Sequence, residues 1–257
     1  MSVVQILELI AAAMGAGAMN AVAGGGTLLT FPTLILLGTG PEMANATSTL
    51  ALVVGTTGSM FGYREHMQAI RPWLGRFSLV SALGGLIGAV LLTRTNDAVF
   101  ARMVPFLILF ATVLFVAQGA FRRFANKEAG ARQGGAEAIR GAMAFQFAVA
   151  VYGGYFGAGI GILMLATLGF LGMTHIHEMN VLKTVLGALI NAVATVWFIR
   201  AGLIDWTKAG IMTAGAVSGY YLAARYAQRI PQRRVRQLIS AVGFGISGVM
   251  FYKQFVK

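Results

Sequence analysis

The chain has 257 residues, 57% of them hydrophobic and only 11% charged, with a net charge of +12 and no cysteine. A soluble domain carries about 25% charged residues, so this sequence lacks the polar surface to cover a water-soluble globule and reads as an all-α, polytopic membrane protein. The missing Cys excludes disulfides, thiolate metal sites and cysteine nucleophiles, and the Lys and Arg lie between apolar runs without an aromatic–basic motif, which marks topology rather than nucleic-acid binding.

Met1-Ser2-Val3-Val4-Gln5 carries no basic residue, so the first apolar stretch is expected to be retained rather than cleaved. Apolar segments then follow in order. The first five are Val3–Asn20, Thr27–Leu37, Met43–Tyr63, Trp73–Thr93 and Ala98–Phe121. The next five are Ala142–Tyr155, Ile160–Leu171, Glu178–Ile199, Trp206–Tyr226 and Val235–Tyr252. A helical span needs about 20 residues. Thr27–Leu37 and Ile160–Leu171 fall short of that and are expected to be arms of re-entrant hairpins or crossings enclosed by protein. Trp73 and Trp206 each open a segment, as interfacial anchors do.

The segments repeat. At a constant offset of 135 residues, Ala23, Gly24, Gly26, Asn45, Thr49, Gly84 and Arg94 fall on Ala158, Gly159, Gly161, Asn180, Thr184, Gly219 and Arg229. One unit is used twice, opened each time by a glycine break. An odd number of crossings per unit would set the second copy upside down relative to the first, the inverted-topology plan of secondary transporters. The expected organisation is a first repeat over 1–121, a linker over 122–140 and a second repeat over 141–257. Basic residues concentrate on alternate loops, among them Arg64, Arg71, Arg76, Arg122, Arg123, Lys127, Arg132 and Arg140. Those loops should be cytoplasmic, which puts both termini outside. The linker's Gly, Ala and charged composition predicts a mobile loop with no site of its own.

Polar residues inside such segments must face protein or a water-filled cavity. At helical spacing Asn45, Ser48, Thr49, Thr56 and Ser59 share one face of the third segment, and Asn180, Lys183, Thr184 and Asn191 share one face of the eighth. Hydroxyls and amides of this kind also serve plain interhelical bonding, but two copies of the same stripe point to a shared site near the bilayer centre. Lys183 is the only Lys or Arg well inside an apolar segment. An ammonium there costs a few kcal/mol unless paired or hydrated, so it reads as an anion ligand or a proton-coupled group, with a structural pair to Glu178 or a head snorkelling to the interface as the plainer alternative. Gly24-Gly25-Gly26, and Gly157, Gly159 and Gly161, permit tight turns that expose backbone N–H groups, and the helix that follows each aims its positive end at the same place. Close helix packing explains a single glycine triplet equally well; its recurrence in register favours an anion site.

Other residues carry less. Glu8 is a segment-end carboxylate or part of a coupling path. His175 and His177, with Glu178 beside them, lack a third ligand and read as a surface pair. Asn20 precedes the first glycine break and is placed to line the site. Ser59 with His66 makes no convincing hydrolase pair.

The stretches NAVAGGGTLLTFPTLILLGTGPEMANATSTLALVVGTTGSMFGYR and GGYFGAGIGILMLATLGFLGMTHIHEMNVLKTVLGALINAVATVWFI resemble the TauE/SafE sulfite exporter family of membrane transporters, in the A-G-G-G-T, F-P, A-N-A-T-S-T and N-V-L-K-T-x(6)-N elements. The resemblance covers nearly the whole chain. It implies export of sulfite or of a sulfur-containing organic anion, with Gly24 to Gly26, Asn45, Thr47, Ser48, Gly159, Gly161, Asn180, Lys183 and Asn191 around the transport site.

The resulting expectation is an inner-membrane secondary transporter of a small anion, without enzymatic activity, cofactor or metal. Its binding residues would be Gly24, Gly25, Gly26, Asn45, Ser48, Thr49, Thr56, Gly159, Gly161, Asn180, Lys183 and Asn191, and its two halves would rock to alternate access. No G-x-x-x-x-G-K-[ST] loop is present, so a proton or sodium gradient, the membrane potential or downhill flow would drive it. Partners expected are the anion, that coupling ion, the bilayer and a second copy in a homo-oligomer. Rival readings are a carrier of another small solute or a metal ion, which would want intramembrane carboxylates, a membrane-embedded enzyme, which would want a convergent nucleophile and base, and an accessory subunit, which has no use for paired polar stripes.

Overall fold

The computed structural model describes residues 1–22, 25–60, 67–129, 136–171, 173, 175–226 and 232–255. Among these the chain forms ten α-helices and no strand. They are α1 (Val3–Val22), α2 (Thr27–Leu36), α3 (Pro41–Met60), α4 (Met67–Arg94), α5 (Asp97–Ala129), α6 (Ala136–Tyr155), α7 (Ile160–Phe170), α8 (Ile176–Arg200), α9 (Trp206–Tyr226) and α10 (Gln232–Phe255). Within the described residues, each apolar segment read from the sequence maps onto one helix, because a backbone in lipid must satisfy its N–H and C=O groups within its own segment. Several helices run further than the apolar stretch. Alpha5 continues to Ala129 and α6 starts at Ala136, so the outer parts of the 122–140 stretch are helical.

Among the described residues, four helices hold a stretch long and apolar enough to cross a membrane unaided: Val3–Ala21, Ile70–Arg94, Asp97–Ala117 and Glu178–Arg200. Alpha4 and α5 present Leu79, Leu83, Leu86, Ile87, Phe106, Phe110, Val113 and Val116 outward, the surface that suits acyl chains rather than water. Alpha3 and α9 carry more Gly, Ser and Thr; α3 is largely enclosed by neighbours, where small polar residues belong in a bundle, while α9 buries one face and leaves Val217, Tyr221 and Leu222 exposed.

The packing order departs from the order in sequence. Alpha1 packs chiefly on α9, and α6, its counterpart at the offset, packs chiefly on α4. Alpha3 touches α9 as α8 touches α4, and α3 meets α8. Gly215 of α9 stands against Ile10 and Ala13 of α1, and Gly219 against Met14, so these two helices run in the same direction. Gly84 of α4 against Phe147 and Ala150, and Gly88 against Val151 and Tyr155, give α4 and α6 the same parallel contact. One hydrophobic core gathers α1, α2, α3, α5 and α9 around Phe31, Phe100, Phe115 and Met212, joined by Phe156 and by the ends of α4 and α8. A second gathers α4, α6, α7 and α8 around Phe77, Met164, Leu182 and Ile190.

Candidate functional site

Two short helices, α2 and α7, each begin at a glycine turn, and the turns explain themselves residue by residue. In the first, Gly25 has φ +92°, left-handed backbone that a side chain would strain. The Asn20 carboxamide oxygen accepts the Gly26 N–H at 2.7 Å. A Cβ on Gly26 would stand 2.6 Å from the Ala16 carbonyl, and one on Gly15 would stand 3.3 Å from Leu29, so α2 folds back along α1. In the second turn Gly157 and Gly159 both have φ +80°, and the hydroxyl of the half-buried Tyr152 donates to the Ala158 carbonyl at 2.7 Å.

Both turns rest on one stretch of α5. A Cβ on Gly25 would meet the Phe115 ring at 3.3 Å, and one on Gly159 would meet Leu114 and the Ala111 carbonyl at 3.7 Å. Ala111 and Phe115 are about 6 Å apart in helical rise, so the turns reach nearly the same level. Phe31 of α2 lies edge-on to Phe156 at the second turn, ring centroids 5.2 Å apart.

The polar face of α3 is buried: Asn45, Thr47, Ser48 and Thr49 are each 9% exposed or less. Asn45 donates its amide N–H to the Tyr155 carbonyl at 3.0 Å, at the mouth of the second turn. That carbonyl is an acceptor only, which fixes the carboxamide orientation, and the Asn45 oxygen is left buried without a hydrogen-bond partner. Ser48 shares a 2.6 Å hydrogen bond with Thr30 of α2. Thr49 turns its hydroxyl onto its own helix, to the Asn45 carbonyl at 2.8 Å.

On α8 the second copy repeats that last bond: Thr184 donates to the Asn180 carbonyl at 2.8 Å. Lys183 stands where Ser48 stands in the first copy. Its aliphatic stem crosses Gly161 in the first turn of α7, with Cδ 3.3 Å from where a Cβ would be. Its ammonium donates to the Asn180 side-chain oxygen at 3.3 Å. Farther along α8, the Asn191 oxygen lies 3.8 Å from the position of a Cβ on Gly157.

The structure thus gathers Asn45, Gly159, Gly161, Asn180, Lys183 and Asn191 about the second turn and its helix start. Gly25, Gly26 and Ser48 sit about the first. Thr56 goes elsewhere: it donates to the Leu52 carbonyl and shares a 2.7 Å bond with Tyr220 of α9. Thr47 accepts the Asp205 N–H at 3.1 Å, pinning the turn after α8 to the start of α3. Glu8 and His175 are exposed. Gly24, Arg64 and His66 lie outside the described residues, as do the side chains of Ser59 and His177.

Sequence reasoning missed Thr30, Tyr152 and Tyr155, which hold the turns and the face of α3 in place. Thr30 follows Gly26 by four residues, one helical turn, and that spacing was the available signal. The role expected of Gly26 also changes, since its N–H is already engaged by Asn20. Chemically the assembly offers backbone at two helix starts, amides, hydroxyls and one ammonium, a set that suits an oxygen-rich anion.

Residues 9–250 match the family model described as sulfite exporter TauE/SafE. The chain is 28% identical over 242 residues to a "Probable membrane transporter protein" of Haemophilus influenzae, covering 92% of this chain and 90% of that protein. It is 23% identical over 241 residues to the "Probable membrane transporter protein YfcA" of Escherichia coli, covering 93% and 87%. It is also 23% identical over 252 residues to the "Probable membrane transporter protein ORF9" of a Sinorhizobium species, covering 93% and 89%. No solved structure matches the chain.

Proposed function

The chain belongs to the sulfite exporter TauE/SafE family of multi-pass membrane transporters, and from that premise we propose that it is a secondary transporter of a small sulfur-containing anion, sulfite or an organosulfonate, working by alternating access in the inner membrane. The observation that carries the reading is Lys183 laid across Gly161, with its ammonium steadied by Asn180. This puts a full positive charge beside the positive end of α7, where few neighbours are needed to hold a small oxyanion. Asn45, Asn180 and Asn191 then frame the anion, and Ser48 and Thr49 with Gly25 and Gly26 complete the opposite wall.

Two inverted repeats, 1–121 and 141–257 joined by a cytoplasmic 122–140 segment, with both termini outside, are the architecture of this proposal. Support comes from the pairing of equivalent helices described above. The bond from Asp205 to Thr47 sets the end of α8 at the start of α3, as antiparallel equivalents require. A proton or sodium gradient is the proposed driving force.

The test is flux of labelled sulfite, sulfoacetate and thiosulfate into proteoliposomes. Lys183→Met should abolish anion flux while the protein still purifies as a folded species. Flux equal to the parent's would remove Lys183 from the site, and absence of flux for every sulfur anion by the parent itself would remove the substrate class.

A further inference from the structure

The two sequence halves are interleaved, and the packing tells which helices travel together. The second core is made of α6, α7 and α8 plus Ile70 and Phe77 of α4, a helix of the first half. Alpha4 lies on α6 at backbone contact. A Cβ on Gly84 would stand 2.6 Å from that of Ala150 and 2.9 Å from the Phe147 carbonyl, and Gly154 abuts Gly85. Inside this contact the fully buried Gln146 donates to the fully buried Ser81 at 3.0 Å. Trp197 of α8 donates to Thr93 of α4 at 3.0 Å.

Alpha9 does the same in the opposite sense. A Cβ on Gly215 would stand 2.6 Å from the Ile10 carbonyl of α1, Gly17 abuts the Ala216 carbonyl, and Tyr220 bonds Thr56 of α3. Helices this close interlock main chain with main chain, and sliding one past the other would drive carbonyls into Cα atoms. Contacts where α2 and α3 meet the end of α6 are of another kind. Among the described residues they include the ring contact of Phe31 of α2 with Phe156, just past α6, and the bond from Asn45 of α3 to the carbonyl of Tyr155, the last residue of α6, both of which can part and re-form through side-chain motion.

Resting on the alternating-access reading above, we infer that the moving units are not the sequence halves but two swapped bodies, α1–α2–α3–α9 and α4–α6–α7–α8. Each body takes one member from the other half, α9 in the first and α4 in the second, keeps one glycine turn and one polar helix face intact, and closes on the anion at the α3–α8 seam. Alpha5 and α10, packed on each other and reaching α7 and α2, flank the seam.

The chain has no cysteine, so spin labels can be placed freely at the exposed Leu7, Leu83, Phe147 and Val217. Four double-cysteine variants in sealed proteoliposomes are compared with and without sulfite and across an imposed proton gradient. The pairs Leu7–Val217 and Leu83–Phe147, within a body but across halves, should keep one unshifted distance. The pairs Leu7–Leu83 and Phe147–Val217, within a half but across bodies, should shift. The reverse partition overturns the inference and restores the halves as moving units. Four invariant distances also overturn it, whether or not sulfite is carried. The expected partition in a protein that carries no sulfur anion would leave the inference standing and refute only the substrate.

Discussion

Asn45 of α3 donates its amide hydrogen to the carbonyl of Tyr155, 110 residues away, at 3.0 Å. This bond ties the polar face of the first copy to the glycine turn of the second, and it leaves the Asn45 oxygen buried without a partner. A carbonyl at a helix end and a carboxamide inside the bundle are both costly to strand, so the position is sensitive to the kind of atom it presents.

Asn45→Ala should lower stability by about 1–3 kcal/mol, because the Tyr155 carbonyl loses its donor while the orphan oxygen goes too. Asn45→Asp should cost more, since it turns a buried carboxylate toward that carbonyl. Thermal unfolding in detergent, run on both variants, checks the order; an Asp variant as stable as the parent would contradict the assigned bond.

Gly161→Ala removes no charge and shifts only the Lys183 side chain, whose Cδ lies 3.3 Å from the new methyl. A displaced ammonium should raise KM for the transported anion by up to about tenfold, equivalent to about 1.4 kcal/mol, with folding preserved. Initial-rate flux at graded anion concentration reads this directly, and an unaltered KM would separate Lys183 from the anion.

At the first turn, Asn20→Ala removes the acceptor of the Gly26 N–H and should cost about 1 kcal/mol, the usual loss at a helix start. Gly26→Ala should be the more damaging change. Its methyl would meet the Ala16 carbonyl at 2.6 Å, an atom of the helix backbone that cannot step aside, and overpacking of this sort costs about 1–3 kcal/mol. Paired melting curves test the ranking.

In the first turn of α9, Lys208 meets Asp205 at 3.0 Å and Thr39 at 2.8 Å, clamping the start of α9 to the turn before α3. Burial pushes the Asp205 carboxyl up, but hydrogen bonds from Lys208, the Lys208 charge and the Thr207 N–H outweigh it and hold the carboxyl below its usual value of 3.8. A depressed carboxylate contributes stability that is fully present above pH 3.8 and is lost as pH falls through the folded value. A double-mutant cycle with Asp205→Asn and Lys208→Met should give a coupling of about 0.2–1 kcal/mol at pH 7, shrinking below pH 3.8. Coupling that grows in acid would reverse the sign.

The helices and the glycine breaks were legible in the residues because each is a local property. Hydropathy over a span and a left-handed turn at Gly25 or Gly159 need no knowledge of neighbours, and a backbone in lipid pairs with itself. The partners were decided only in three dimensions. That α4 lies with α6, that Asn20 takes the Gly26 N–H, and that Thr56 turns to Tyr220, 164 residues on, depend on how each helix is rotated about its axis. A neutral hydroxyl or amide bonds equally well to any acceptor within reach, so its sequence neighbourhood does not choose one. Packing chooses, through the fit of glycine faces against carbonyls.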